Sequence, residues 1–139
     1  MAKTYNPKKV AIIAGGFGIS GFAEGEFITI SMDEDQWELK VGTDGEGTRS
    51  KQNNDSGTVK VMLMQSSDSN VVLQALWNAD KLSDSGLFPL MIKDGSGRSL
   101  YVAEQAWIQK QPEAKFGKGV ETREWTIRTD HMIPYEGGN

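Results

Sequence analysis

A glycine motif near the start of the chain has the residue types of a dinucleotide-binding loop. Residues 16–21 read Gly-Phe-Gly-Ile-Ser-Gly, a literal GxGxxG after an apolar run. Pyrophosphate binding by this motif requires a helix that begins at the glycines, because the free N–H groups of its first turn hold the phosphates. Residues 22–26 lead instead into a strand-like pattern. We therefore interpret the glycines as turn residues and expect no cofactor.

Other groups with catalytic potential lack the spacing that their chemistry needs. Two acidic segments, residues 33–35 and 44–46, resemble parts of a calcium loop, but the ligand register and flanking helices of an EF-hand are absent. His131 follows Asp130, yet no GxSxG motif supplies a nucleophile. The chain has no cysteine and one histidine, which excludes thiolate zinc sites and His-rich metal clusters. We expect no metal site and no enzyme activity.

The composition is that of a small acidic protein. Its 139 residues fit a single domain, 1–139, which needs no disulfide or metal to fold. Fifteen basic residues against 19 acidic ones give a net charge of −4, which argues against a surface that binds nucleic-acid phosphates. No apolar run approaches the roughly 18–20 residues of a membrane span, and the amino terminus lacks the apolar core of a signal peptide. We expect a soluble protein without membrane contact.

Hydrophobic periodicity predicts a β protein with one helix. Val10–Ile19 reads as a hairpin around two glycines, and a count of 16 glycines against four prolines favours further tight turns. Alternating apolar and polar residues predict strands at Phe27–Met32, Gln36–Val41, Thr58–Met64, Phe88–Lys93, Ser99–Ile108 and Thr122–Thr129. The alternation of Trp37, Leu39 and Val41 is the clearest half-buried pattern. We expect an all-β sandwich or barrel with one helix packed on it.

The single helix is predicted at Ser69–Asp80. Asp68 or Ser69 is expected to cap its first N–H groups. The helix residues expected to face the core, at helical spacing, are Val72, Ala75, Leu76 and Ala79.

Two polar regions stand out from the strands. Gly42–Gly57 contains no aliphatic or aromatic side chain, and a loop of this length is unusual in a compact domain unless it is functional or disordered. Between Glu24 and Glu46, eight acidic residues stand against one base, Lys40. This charge is either ordinary solvated loop charge or a surface that repels something anionic.

The chain resembles the tail-tube proteins of contractile-tailed bacteriophages over about 135 residues. The resemblance rests on an ordered set of short segments, none of them specific alone: residues 5–10, 18–25, 42–46, 56–59 with 63–65, 88–90 with 92–94, 123–125 and 137–139. It implies two packed antiparallel β-sheets with a flanking helix, assembled as hexameric rings that stack into a hollow tube. The inner sheets of six subunits are expected to form one continuous barrel around the lumen.

The resemblance also implies a structural function, as a conduit through which the genome is ejected. The implied partners are other copies of the chain, the tail sheath protein, baseplate hub and tail terminator proteins, and a tape-measure protein in the lumen. DNA is expected to pass without specific binding. The implied location is the virion tail, built in the bacterial host cytoplasm. The alternatives are the inner tube of a contractile injection, secretion or bacteriocin-like machine, and a small β-sandwich enzyme or sugar-binding module.

Two sets of site residues follow as hypotheses. Gly42–Gly57 is expected to be the inter-ring loop, with contacts through Thr43, Asp44, Glu46, Arg49, Lys51, Asn53, Asn54 and Asp55. The lumen is expected to be net acidic so that it repels DNA, with contributions from Glu24, Glu26, Asp33, Glu34, Asp35 and Glu38.

Overall fold

The structure, a computed structural model, describes residues 2–138 as a mainly antiparallel β protein with one α-helix among those residues. A short 3-10 turn, Pro7–Lys9, precedes the first strand. The strands are β1 (Val10–Ala14), β2 (Phe17–Gly18), β3 (Ile28–Met32), β4 (Trp37–Val41), β5 (Gly47–Lys51), β6 (Gly57–Met64), β7 (Phe88–Asp94), β8 (Leu100–Lys110), β9 (Thr122–Thr129) and β10 (Met132–Tyr135). The helix α1 spans Ser69–Ser83. The predicted fold class, antiparallel sheets with one flanking helix, is confirmed.

Eight strands form the main sheet, in the order β2-β1-β7-β8-β9-β6-β3, with β10 beside the first half of β8. The sheet curls on itself, because β1 and β3 lie near its opposite edges and yet line one cavity. The chain after β2 crosses this gap to β6. There Met64 N–H donates to the Gly21 carbonyl at 2.8 Å, and Phe22 forms a bridge with Leu63. The second sheet is the β4–β5 pair.

The core follows the predicted alternation. In β6 the buried apolar side chains are Val59, Val61 and Leu63, and in β9 they are Trp125 and Ile127. Cross-strand pairing places Val59 opposite Ile127 and Val61 opposite Trp125, so these side chains lie on one face of the sheet. The strands β1, β7 and β8 contribute Ile12, Ala14, Phe88, Leu90, Ile92, Ala103, Ala106 and Ile108 to the same cluster.

The predicted hairpin at Val10–Ile19 is confirmed. Ile13 pairs with Gly18 and Ala14 with Phe17. The intervening glycines have φ values of +59° at Gly15 and +86° at Gly16. A two-residue turn with positive φ at both positions matches the twist of the strands it joins, and glycine adopts this conformation without strain.

The helix is present, but the residues that it buries differ from those predicted. Leu73 is fully buried, Leu76 and Trp77 are partly buried, and Ala75 is exposed. A polar anchor at the first turn fixes this rotation: Trp125 Nε1 donates to Asn70 Oδ1 at 2.9 Å, and the Asn70 amide donates to three backbone carbonyls. The spacing of apolar residues carries no information about these polar contacts. The predicted buried face is therefore rotated about the helix axis relative to the observed one.

The predicted helix cap is also wrong. Asp68 occupies the N-cap position but makes no side-chain capping hydrogen bond. Ser67 Oγ accepts the Ser69 N–H at 3.2 Å instead, while Ser69 Oγ accepts the Ser20 N–H at 2.9 Å. The Ser69 hydroxyl is therefore used to tie the helix to the chain that follows β2.

The polar segment Gly42–Gly57 is not the unstructured loop that its composition predicted. Residues 47–51 form β5, which pairs along its whole length with β4. The apolar alternation of β4 is real, but all five of its residues are exposed, so the prediction of a half-buried strand is wrong. The reason is that β4 pairs with a polar strand of its own hairpin and lies outside the core.

Leu73→Ala should test the packing of the helix. We expect a loss of about 2–5 kcal/mol in the free energy of unfolding, because the substitution leaves a cavity in a close-packed core. Val71 lies on the same helix and is 71% exposed, so Val71→Ala is the matched control. Its free energy of unfolding should stay within about 0.5 kcal/mol of wild type. Chemical denaturation measures both. Equal stability of the two variants would contradict the burial of Leu73.

Candidate assembly surface

A β-hairpin projects from the body of the protein. We call β4, β5 and the turn between them, Trp37–Lys51, the arm. The strands β4 and β5 make extensive contacts only with each other. At the root, Gln52 N–H donates to the Gln36 carbonyl at 2.6 Å, so the two ends of the arm lie side by side.

The tip of the arm is an ordered turn. Gly42 N–H donates to the Glu46 carbonyl at 2.8 Å, and Asp44 Oδ1 accepts the Glu46 N–H at 3.2 Å. Gly45 has a φ of +87°, a conformation that glycine adopts readily. These contacts close a turn that composition alone presented as part of a long loop.

One face of the arm is apolar and exposed. We call Trp37, Leu39 and Val41 the apolar stripe; their exposed fractions are 44%, 67% and 62%. Residues that face each other across the hairpin share a face, so Lys51 and Arg49 lie on the stripe side. The Arg49 guanidinium carbon stands 4.1 Å from the centroid of the Trp37 ring. A contiguous apolar surface of this kind marks an interaction site.

The predicted inter-ring residues do not form one surface. They extend from the tip through β5 and beyond the root, in chain order Thr43, Asp44, Glu46, Arg49, Lys51, Asn53, Asn54 and Asp55. Asn54 Oδ1 accepts the Ser56 N–H at 3.0 Å, and Asp55 lies 3.2 Å from His131, so these two belong to the junction with the body. The apolar stripe was missed. The sequence did contain an indication of this surface. A strand with alternating apolar residues is followed by a segment that has no apolar side chain to pack against them.

The six carboxylates predicted for the lumen are separated by the fold. Glu24 and Glu26 precede β3, whereas Asp33 follows it. Three others line a shallow pocket at the root of the arm: Glu34, Asp35 and Glu38. No single element presents all six on one face.

Asp33 has a specific role at the end of β3. Its carboxylate accepts a hydrogen bond from Thr58 Oγ1 at 2.6 Å and forms an ion pair with Arg128 at 2.6 Å. The Thr58 hydroxyl, with smaller contributions from Ser56 and Arg128, holds the pKa of Asp33 below its ordinary value, although partial burial opposes the shift. This network ties the end of β3 to β6 and β9 next to the root of the arm.

The strand β3 is an edge of the main sheet. Met62 N–H donates to the Phe27 carbonyl at 2.8 Å, and Asp33 N–H donates to the Ser56 carbonyl at 3.0 Å. Backbone groups alternate in direction along a strand, so the N–H and C=O groups of Ile28, Ile30 and Met32 point away from β6. These groups have no strand partner among the described residues.

A second free edge lies at the end of β8. Pairing with β7 reaches Ala106, and residues 107–110 have β9 on one side and no described strand on the other. The strands β3, β6, β9 and this part of β8 therefore form a four-stranded sheet with a free edge at each side.

The outer face of this four-stranded sheet is polar. Its side chains alternate with those of the core: Thr29, Ser31, Thr58, Lys60, Met62, Met64, Trp107, Gln109, Lys110, Thr122, Glu124, Thr126 and Arg128. Two of its bases are paired, since Lys60 lies 3.9 Å from Glu124 and Arg128 binds Asp33. The third, Lys110, lies opposite Thr126 and forms no salt bridge with another described residue.

The glycine motif that resembled a dinucleotide-binding loop lies in turns and strands. Residues 16–21 form part of the β1–β2 turn, β2 and the crossing to β6, and the helix begins at Ser69 instead. Within residues 2–138, no group of three or more His, Cys, Asp or Glu side chains is placed to hold a metal ion. No helix in the same part of the chain has the length and hydropathy needed to cross a membrane.

Comparison with known proteins identifies similar chains. The bacteriophage PhiTE tail tube protein family matches residues 9–133. Structural protein ORF10 of Pseudomonas phage KPP10 is 35% identical over 144 residues, which cover 98% of this chain and 83% of that protein.

Two cryo-EM structures have the same fold. A chain of the anti-feeding prophage cap, the AFP tube terminating cap, superposes with a TM-score of 0.65 at 10% identity, covering 97% of this chain and 93% of that one. A chain of the PVC sheath/tube terminator in its extended state, from an extracellular contractile injection system, gives 0.64 at 13% identity, with 97% and 99% covered. At these identities the likeness concerns the fold alone.

Asp33→Asn should reveal the network at the end of β3 through its pH dependence. A carboxyl with a lowered pKa in the folded state stabilises the protein above the ordinary value of 3.8, and this stabilisation is lost as the pH falls through the folded value. We expect Asp33→Asn to lower the free energy of unfolding by up to about 1 kcal/mol near neutral pH. The difference from wild type should shrink below about pH 4.

The matched control is Glu34→Gln, which removes the adjacent exposed carboxylate. Denaturation curves for the three proteins between about pH 3 and pH 7 give the comparison. A loss in Asp33→Asn that stays constant down to pH 3 would contradict the proposed electrostatic role.

Proposed function

The chain belongs to the bacteriophage PhiTE tail tube protein family, and from this we propose that its copies join into hexameric rings that stack into a hollow tube. As a family member it is a structural subunit of a phage tail tube and a component of the virion. The hexamer, the inter-ring contact and the passage of DNA are our proposals. The observation that carries ring formation is the pair of free strand edges on the four-stranded sheet.

Ring closure follows from the number of strands between these edges. The strands β8, β9, β6 and β3 alternate in direction, so β3 and the end of β8 are antiparallel. If β3 of one copy pairs with the end of β8 of the next, the alternation continues through every copy. A ring formed this way has no free edge on this sheet, and closure removes the edges that would otherwise cause aggregation.

The closed sheet would be wide enough to form a channel. Six copies of a four-stranded sheet make a barrel of about 24 strands, and barrels of about 16–18 strands already leave an aqueous pore. We propose that the polar outer face of the sheet lines this channel. Its surface is rich in hydroxyl groups, Lys60 and Arg128 are paired, and Lys110 is the one base on it without an ion pair among the described residues. One such base per copy is not the continuous basic stripe that phosphate binding uses.

Net repulsion would come from the subunit as a whole. The net charge of −4 per chain gives about −24 for six, which acts within a Debye length of about 8–10 Å. The carboxylates before β3 and at the root of the arm are the proposed acidic contributors around the sheet. Passage of DNA without specific binding is the expected consequence.

Stacking of rings is proposed to use the arm. Its stripe is apolar, exposed and held on a preformed hairpin, so burial against another ring would remove apolar surface from water without the cost of ordering a loop. Because the arm lies outside the core, it is free to contact a second copy.

The family and the structural neighbours also indicate partners. The AFP and PVC structures with this fold are described as tube or sheath/tube terminator assemblies, and we propose that this chain meets a sheath and a terminator in the same way. A baseplate hub, a tape-measure protein in the lumen and assembly in the host cytoplasm complete the proposal. The phage relative at 35% identity favours a phage tail over an injection machine.

Removal of the arm should separate folding from stacking. An Asn-Gly turn in place of residues 37–51 joins Gln36 to Gln52, which already lie within hydrogen-bonding distance. We expect an unchanged melting temperature, because the arm contributes no residue to the core. Electron microscopy should show rings or single subunits without tubes.

A triple and a double substitution, on opposite faces of the arm, test which face makes the contact between rings. Trp37→Ser with Leu39→Ser and Val41→Ser removes the stripe, and should prevent tubes as the deletion does. Glu38→Ser with Lys40→Ser changes the opposite face and should leave tubes intact. Normal tubes from the stripe variant would refute the assignment of the arm.

A proline at the free edge of β3 tests ring closure. The Met32 N–H points away from β6, so Met32→Pro removes a donor from the edge without breaking the β3–β6 ladder. We expect a folded subunit whose association constant at each ring interface falls at least tenfold, about 1.4 kcal/mol. Met32→Thr keeps the N–H and is the control. Sedimentation that finds equal ring formation in both would argue against pairing at this edge.

A further inference from the structure

An apolar groove opens between the two curled edges of the main sheet. Its volume is about 380 Å³. The start of β3 contributes Ile28 and Ile30, β7 contributes Ile92, and β1 and β8 contribute Val10 and Tyr101. Phe27 and Tyr5 extend the lining toward the surface. The groove is therefore continuous with the core but open to solvent.

The rim of the groove is acidic. Glu26 and Asp94 belong to its lining, which contains no lysine or arginine among the described residues. Neither carboxylate forms a salt bridge with another described residue. Glu136 adds a third negative charge beside Tyr101, where burial and then this carboxylate raise the pKa of the phenol. An occupant with apolar side chains and positive charge would suit this site.

The arm has those properties on one face. The apolar stripe is flanked by Arg49 and Lys51, and neither base forms a salt bridge within residues 2–138. On the opposite face, Lys40 lies beside Glu38, so only the stripe side combines apolar area with unopposed positive charge.

We propose that the groove is the receptor for the arm of a second copy of this chain, with the apolar stripe on Ile28 and Ile30 and with Arg49 and Lys51 facing Glu26 and Asp94. The proposal rests on the tube function and deepens it by naming the site that the arm binds. Stripe and groove are different patches of one chain, so the contact is heterologous and repeats from ring to ring instead of closing a dimer. Strand pairing at the edge of β3 uses backbone groups, so one copy can make both contacts.

Charge reversal tests the complementarity. Arg49→Glu places like charges together, and we expect the number of tubes seen by electron microscopy to fall at least about tenfold. Glu26→Arg should have the same effect. The combined variant restores opposite charges and should recover most of the tubes. Lys40→Glu, on the other face of the arm, and Glu24→Arg, outside the groove lining, are the controls that should form tubes normally.

Cysteine crosslinking tests proximity directly, because the chain has no cysteine of its own. Leu39→Cys and Tyr5→Cys proteins, made with tags of different mass and assembled together, should give the mixed disulfide-linked dimer on mild oxidation. Lys40→Cys with Tyr5→Cys places the thiol on the opposite face and should give at least about tenfold less.

The outcomes separate this proposal from the tube function. Tubes that form normally from Arg49→Glu and Glu26→Arg, or tubes in which Leu39→Cys crosslinks no better than Lys40→Cys, would overturn the groove as receptor while leaving the tube intact. If the groove variants stop rings as well as tubes, the occupant is the neighbour within a ring and the proposal is wrong. A wild-type chain that forms no tubes would refute the proposed function itself.

Discussion

Unpaired backbone hydrogen-bonding groups at the edge of β3 are the constraint on which the assembly depends. The N–H and C=O groups of Ile28, Ile30 and Met32 point away from the sheet. A free edge of this kind is a template for another strand, and a protein must either protect it or use it. Here the opposite end of the same four-stranded sheet offers an antiparallel edge, so a neighbouring copy can satisfy both. We propose that ring closure, and not a cap on each edge, protects these groups.

The proposed role of the arm is a different one, the contact between rings. Its hydrogen bonds are satisfied within the hairpin, and its tip is closed by Asp44 and Gly45. It therefore needs no partner to keep its shape, but its stripe gains from being covered. Because edge pairing and stripe burial use different atoms, a subunit can enter a ring before the ring is stacked.

The sequence predicted those parts of the fold that depend on local pattern. Alternation in β6 and β9 placed Val59, Val61 and Trp125 in the core, and the two glycines after β1 marked a hairpin. The helix was located but not its rotation, because the contact between Asn70 and Trp125 joins residues that are 55 positions apart. Long-range polar contacts of this kind leave no periodic signal.

The assembly surface was only half predictable, for a related reason. Periodicity shows that Trp37, Leu39 and Val41 share a face, but it cannot show whether the covering surface belongs to the same chain. The polar composition after Val41 was interpreted as a loop, since Gly47–Lys51 has no apolar alternation of its own. This segment becomes a strand because it pairs with β4. Strand propensity does not predict such an effect of the neighbouring strand.

A cryo-EM reconstruction of tubes assembled from the purified chain tests the central claim most directly. The predicted map shows hexameric rings in which Ile28–Met32 of one subunit pairs antiparallel with residues 107–110 of the next, so that the inner wall is one continuous barrel. A tube whose subunits contact each other without strand pairing at these edges would contradict the claim, as would a chain that remains monomeric under every assembly condition.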